Sequence, residues 1–300
     1  KLLGSWLLEQ GEYKNAIRYF NRARLGGKFE TDLSRAVALS EIDHPRAIEL
    51  WTAWDTLATH PYQGIAQNML KILVKDSLDT QKIEKLVDKD KYNYLHYHKA
   101  TLENETFEEI CNQITDVNFK MWANAERLLH YVENKDLASA EKLYLTNKNV
   151  KGLPLEIANL WHKNALMYCY ASQNWEEMQV VLPQFKAGRY YDAWKSFFTG
   201  VHHVYAGNPS KSEAFLEQAT RSLPFEMLVY RELIAHYNAT KQKDKAYNFI
   251  LESLSLLPES VEMYDFYILQ ALDLGYESFA ERAMTDLESR ISEEKYKELA

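Results

Sequence analysis

Signatures of catalysis are missing from this sequence. It has no GxGxxG or GxxxxGK[ST] phosphate loop, no GxSxG nucleophile turn and no HExxH metal pair, which leaves nucleotide-dependent, triad and zinc-protease chemistry without their usual parts. Glycine and proline are scarce, 10 and 7 in 300 residues. No segment alternates β-branched residues between turn clusters, which excludes a strand-rich sandwich or barrel. Cys111 and Cys169 stand far apart without CxxC or Cys/His spacing, so neither a disulfide framework nor a zinc site is expected. Both read as small buried hydrophobes. No stretch reaches the ~18 consecutive apolar residues of a membrane span. Basic runs never exceed two residues and the formal charge is −8, which argues against nucleic acid and for a basic or neutral partner. The chain opens at Lys1 inside an apparent helix, with neither Met nor a signal peptide, and reads as a piece of a longer precursor. That leaves the compartment open, with the cytoplasm favoured over an exported, periplasm-like location.

What is abundant is apolar surface. Hydrophobic residues make up 46% and aromatics 13%, with 20 Tyr and 7 Trp, enough to offset the entropy of ordering the chain. Helix is the default, and its periodicity repeats. Ile234, Tyr237, Ala246 and Ile250 are matched 34 residues on by Ile268, Ala271, Ala280 and Met284; 34 residues back, Gly200, His203, Ser212 and Leu216 take those places, and another 34 back Leu166, Cys169, Met178 and Leu182. A small residue is needed where two antiparallel helices cross, and larger ones fill the space against the next pair. Ser212, Ala246 and Ala280 are those small residues.

Near the start, Gly4, Leu7, Gly11, Tyr13, Ala16, Phe20 and Ala23 fall in the stretch GSWLLEQGEYKNAIRYFNRA. This stretch and the 34-residue period resemble the tetratricopeptide repeat (TPR) family. The resemblance implies an all-α, right-handed α-α superhelical solenoid of about nine helix pairs. Its expected organisation is an N-terminal sub-stack over 1–147, with degenerate repeats near 62–118. A loop or hinge follows over 148–155, then a regular sub-stack over 156–290 and a polar capping helix over 291–300. Helices are expected near 62–75, 79–88, 91–103 and 106–115, where Lys71 and His98 replace small or apolar core residues. The segment 145–154 adds four residues to the period, and Pro183 should bend or shorten the second helix of the sixth pair.

Candidate chemistry has a plainer explanation at each position. His96 and His98 are two apart on a helix and point to different faces, which suits joint metal ligation poorly. His203 falls on a core position and His202 on the outer surface. Glu108-Glu109, Glu176-Glu177 and Glu293-Glu294 sit near helix starts and complement the helix dipole. No cofactor or metal is expected.

In TPR proteins the first helix of each pair lines a concave groove that holds extended or helical peptides, and the resemblance implies the same face here. The register places Trp122, Lys163, Met167, Tyr170, Trp194, Phe197, Phe198, Val201, Tyr205 and Arg231 on it. The run Trp194-Lys195-Ser196-Phe197-Phe198 concentrates three large aromatics, an apolar anchor site if exposed. Superhelical closure or a neighbouring chain would instead make them core. The Lys/Asn pattern of the two-carboxylate clamp in chaperone-tail binders is absent, since Met167 follows Lys163 one turn on and the later positions are Leu228 and Glu232. The expected function is a non-enzymatic scaffold for a protein or peptide with apolar anchors. The alternatives are a regulatory or substrate-presenting region of a larger enzyme or cell-envelope assembly complex, and self-association through the groove.

Overall fold

The computed structural model describes residues 4, 8, 13–24, 29–57, 62–74, 83–98, 102–186, 188, 191–223, 226–256 and 260–290. Among them are sixteen α-helices and no strand. The chain divides into two units, Lys1–Asn174 and Trp175–Ala300. The first holds α1 (Tyr13–Arg24), α2 (Phe29–Ile42), α3 (His44–Asp55), α4 (Gln63–Leu73), α5 (Asp88–His98), α6 (Asn104–Gln113), α7 (Val117–Glu133), α8 (Leu137–Asn147) and α9 (Leu155–Ala171). The second holds α10 (Trp175–Val181), α11 (Asp192–Tyr205), α12 (Pro209–Ser222), α13 (Met227–Ala239), α14 (Lys243–Leu256), α15 (Val261–Asp273) and α16 (Glu277–Arg290).

Local chemistry sets the helix boundaries. Asp43, Asp116, Asp136 and Ser260 cap the starts of α3, α7, α8 and α15 by accepting backbone N–H groups that have no partner inside the helix. Pro209 opens α12, where its missing N–H costs nothing. Five first helices end on a left-handed residue: Lys135, Gln173, Gly207, Lys241 and Gly275. At each, the following residue's N–H reaches back to the carbonyl of Tyr131, Cys169, His203, Tyr237 or Ala271, the closing bond of a Schellman cap. The last four caps recur every 34 residues, whereas Lys135 to Gln173 is 38.

Those four extra residues go chiefly into helix. α9 is 17 residues long, as is α7, against 14 and 13 for α11 and α13. The segment 145–154 begins inside α8; of the loop expected over 148–155, residues 148–154 connect α8 to α9 within the first unit and Leu155 opens α9. At the sixth pair α10 stops after 7 residues, and Leu182–Gln184 tightens into a 3₁₀ turn around Pro183. Three of the degenerate-region helices form close to their expected ranges, as α4, α5 and α6. Residues 79–82 of the helix expected near 79–88, the capping segment 291–300, and Leu7 and Gly11 lie outside the described residues.

The small crossing residues are closed off from solvent: Ala16, Ala47, Ala140, Ser212, Ala246 and Ala280 are all buried. Gly200 allows the tightest approach, because a Cβ there would lie 2.8 Å from Cγ of Leu216 and 3.3 Å from its backbone N. In the first unit one core gathers Trp51, Trp54, Ala47, Ala66 and Leu73, and another Tyr94, Leu95, Phe107, Ile110 and Ile114. In the second, Tyr230, Ile234, Ile250, Met263 and Leu287 pack together across two pairs. Trp51 donates its indole N–H to Ser40, which bonds the Ala36 carbonyl, so this core tryptophan leaves no unsatisfied donor. His98 is buried and bonded to the Ile72 carbonyl, while Lys71 sits on the exposed side of α4.

Candidate partner-binding surfaces

The expected groove residues divide between the two units. Trp122, Lys163, Met167 and Tyr170 belong to the first, and each is half-buried; Trp194, Phe197, Phe198, Val201, Tyr205 and Arg231 belong to the second. Phe197, Phe198 and Val201 are fully buried, so the run that suggested an exposed aromatic patch supplies core at these positions. Trp194 is half-buried, edge-on to Phe197 at 5.9 Å and nearly parallel to Phe198 at 6.0 Å between ring centroids. Tyr205, at the end of α11, is 48% exposed and stacks flat on Trp175 at 3.9 Å.

Further along the second unit, Leu269 on α15 is 65% exposed, with Leu228 and Phe266 half-buried. Arg231 does not stand free on this face. Its Nη2 and Nε lie 2.6 and 3.1 Å from Glu262 Oε1 on the next first helix. Burial and the neighbouring Glu262 raise the pKa of Asp265.

On the first unit's corresponding face Trp122 stacks on Tyr92 at 5.3 Å and contacts Phe119 at 5.6 Å. Beside them His96 bridges two helices, with Nδ1 3.2 Å from Glu126 and Nε2 3.4 Å from Glu41. Burial alone would lower its pKa, but the hydrogen bonds to the two carboxylates win and lift it to about 9. The imidazole is therefore a cation at neutral pH. Nothing in the sequence marked this cluster, whose partners lie 30 and 55 residues away.

A second kind of site lies between neighbouring second helices, over the first helix that separates them. In the second unit α12, α13 and α14 enclose about 330 Å³ lined by Glu217, Arg221, Tyr237, Lys245, Phe249 and Glu252, among others. Lys245 Nζ lies 2.6 Å from Glu213 and 2.9 Å from Glu217, and 4.6 Å from the Tyr237 ring centroid. The Tyr237 hydroxyl donates to Glu217 at 2.9 Å, and Arg221 pairs with Glu217 at 3.2 Å. Lys245 lowers the pKa of both Glu213 and Glu217.

In the first unit α6, α7 and α8 enclose about 290 Å³ in the equivalent place, lined by Glu108, Lys120, Asn124, Arg127, Tyr131 and Lys142, among others. Tyr131 and Tyr237 each precede a left-handed lysine by one turn, so they hold the same station in the repeat. Here Arg127, from the floor helix, donates Nε to the Tyr131 hydroxyl at 2.7 Å, lies 5.1 Å from the ring centroid and pairs with Glu108 at 2.9 Å. Asn124 donates to Asn147 at 3.3 Å and accepts the Cys111 thiol at 3.2 Å. Among the described residues no group of three His, Cys, Asp or Glu side chains is arranged to hold a metal ion, and no helix is long and apolar enough to cross a membrane.

No protein-family model matches the chain, and no curated protein does. Among solved structures, the chain is similar to the crystal structure of the APC/C hetero-tetramer Cut9-Hcn1, a TPR-repeat structure, with a TM-score of 0.51 and 13% identity. That match covers 95% of this chain and 51% of the other, so the chain spans about half the length of the protein it matches. At this identity the likeness speaks to fold alone: this is an all-helical solenoid of the tetratricopeptide type.

Proposed function

We propose that the chain is a scaffold that holds a protein or peptide partner against the first-helix faces of its repeats, rather than an enzyme. The supporting observation is the pair of large apolar side chains left open on first helices of the second unit, Tyr205 and Leu269, in a fold built for protein contacts. The tetratricopeptide-type comparison structure is itself a hetero-tetramer, Cut9-Hcn1. The anchors are Tyr205, Leu269 and the half-buried Trp194, the last packed on the buried Phe197 and Phe198. Carboxylates outnumber cations here, with Glu262 and Asp265 beside Arg231, so a partner with apolar anchors and flanking basic residues fits best.

The test compares baits. A Tyr205→Ala/Leu269→Ser variant should lose partners that the wild-type chain captures, with thermal stability essentially unchanged. Leu251→Ser, on the second helix α14, is the control at another exposed leucine. Partners retained by the first bait and lost by the control would sink the proposal.

A further inference from the structure

We infer that the cleft between α6 and α8 binds a carboxylate side chain from an acidic segment of a protein partner. The inference does not rest on the first-helix reading, because it concerns the opposite side of the helix pair.

The second unit shows what such a cleft holds when it is complete. There two cations, Arg221 and Lys245, face carboxylates that the repeat supplies itself: Glu217 reaches both, and Glu213 reaches Lys245. Glu252 adds another carboxylate on the wall. The first unit has the same cavity, the same tyrosine station and a cation on that tyrosine, but the charges do not balance. Lys120, Arg127 and Lys142 line it with one carboxylate, Glu108, which is half exposed while the Arg127 side chain is only 10% exposed. At the station of Glu252 stands Thr146, and at that of Asn248 stands Lys142. No carboxylate among the described residues pairs with the ammonium of Lys120 or Lys142.

Three cations around about 290 Å³ in a chain of net charge −8 are a local inversion of the protein's field. An incoming carboxylate would gain charge-assisted hydrogen bonds from such a group of cations. Lys120 on the floor helix and Lys142 on the α8 wall are placed to take its oxygens. Asn112 and Asn147 supply neutral donors on the lining. The room suits one or two side chains, so the recognised element is a short acidic stretch of chain.

The probe is fluorescein-labelled hexaglutamate, read by anisotropy against the full chain at low salt. The expected result is saturable binding that weakens as salt rises and falls roughly tenfold or more when two lysine contacts are removed in Lys120→Gln/Lys142→Gln. Lys120→Arg/Lys142→Arg should retain binding, which separates loss of charge from damage to the fold, and Arg221→Gln in the other cleft should leave it unchanged. Absence of binding to the wild-type chain overturns the inference, as does equal binding by the glutamine pair. A loss of binding in Arg221→Gln as large as in the glutamine pair would equally overturn it, by making the attraction diffuse rather than local.

Discussion

In the second unit Lys245 crosses from α14 to two carboxylates on α12, and the tyrosine between them donates to one of those carboxylates. In the first unit Ser139 stands where Lys245 would be, the cation rises from α7 as Arg127, and the tyrosine accepts rather than donates. The repeat therefore fixes where the cleft lies and where its tyrosine stands, while the charge on the walls varies freely. Packing governs the first two, through the crossing of small residues and the left-handed cap. Nothing in the packing constrains the third, because wall residues point into solvent space. Function in such a fold is to be sought in the positions that packing leaves undetermined.

The comparison can be broken most forcefully within the second unit's own first helix. Phe198→Ala should destabilise the protein by about 3–5 kcal/mol as a core deletion, against less than about 1 kcal/mol for Tyr205→Ala on the same helix. Urea unfolding monitored by circular dichroism reads the difference. Similar losses at both would mean that Tyr205 is structural and not a docking residue.

One site in each unit should also respond to pH, in opposite directions. His96 has its pKa raised to about 9, so the stability it lends the first unit is fully present below its unfolded value near 6.5 and is lost as pH rises through about 9. Glu213 and Glu217 have lowered values, so their contribution is present above the ordinary glutamate range and is lost as pH falls through the folded values. Hydrogen exchange resolved by peptide should show the region of α5 and α7 loosening at alkaline pH and that of α12 and α14 loosening in acid. His96→Gln should remove the alkaline loss, worth roughly 1–2 kcal/mol. Exchange in α5 and α7 that has the same pH dependence in the variant would contradict the assignment.

The smallest effects concern the caps. Lys135, Gln173 and Lys241 hold left-handed conformations that cost a side-chain-bearing residue about 1 kcal/mol. Changing each to Gly should raise stability by up to about 1 kcal/mol, and Gly207→Ala or Gly275→Ala should lower it similarly, since a Cβ at either glycine meets no neighbour. Thermal unfolding of the five single variants decides this. A stabilised Gly207→Ala would refute the cap argument.

Much of the fold was legible because its determinants are periodic. Ser212, Ala246 and Ala280 announce the helix crossings, and Pro183 announces the shortened α10. The caps were less visible, since three of the five left-handed positions carry Lys or Gln instead of the glycine that would flag them. The extra four residues before Gln173 looked like loop because Asn, Lys, Gly and Pro cluster there, yet most of the added length extends α9. The candidate site was less readable still. Trp194, Phe197 and Phe198 share one helical face at i, i+3 and i+4, a spacing that a core stripe and an exposed patch produce alike. The clefts and the His96 cluster draw on three helices each, and no local pattern records which helices become neighbours.

The scaffold reading stands or falls on whether the first-helix face touches another protein. The direct measurement is site-specific photo-crosslinking in the native host, with a photoreactive amino acid placed at Tyr205, at Leu269 and, on second helices, at Leu251 and Met284. A discrete crosslinked protein at Tyr205 and Leu269, absent at the other two, is the predicted result. Crosslinks confined to Leu251 and Met284, or none at any first-helix position, would contradict it.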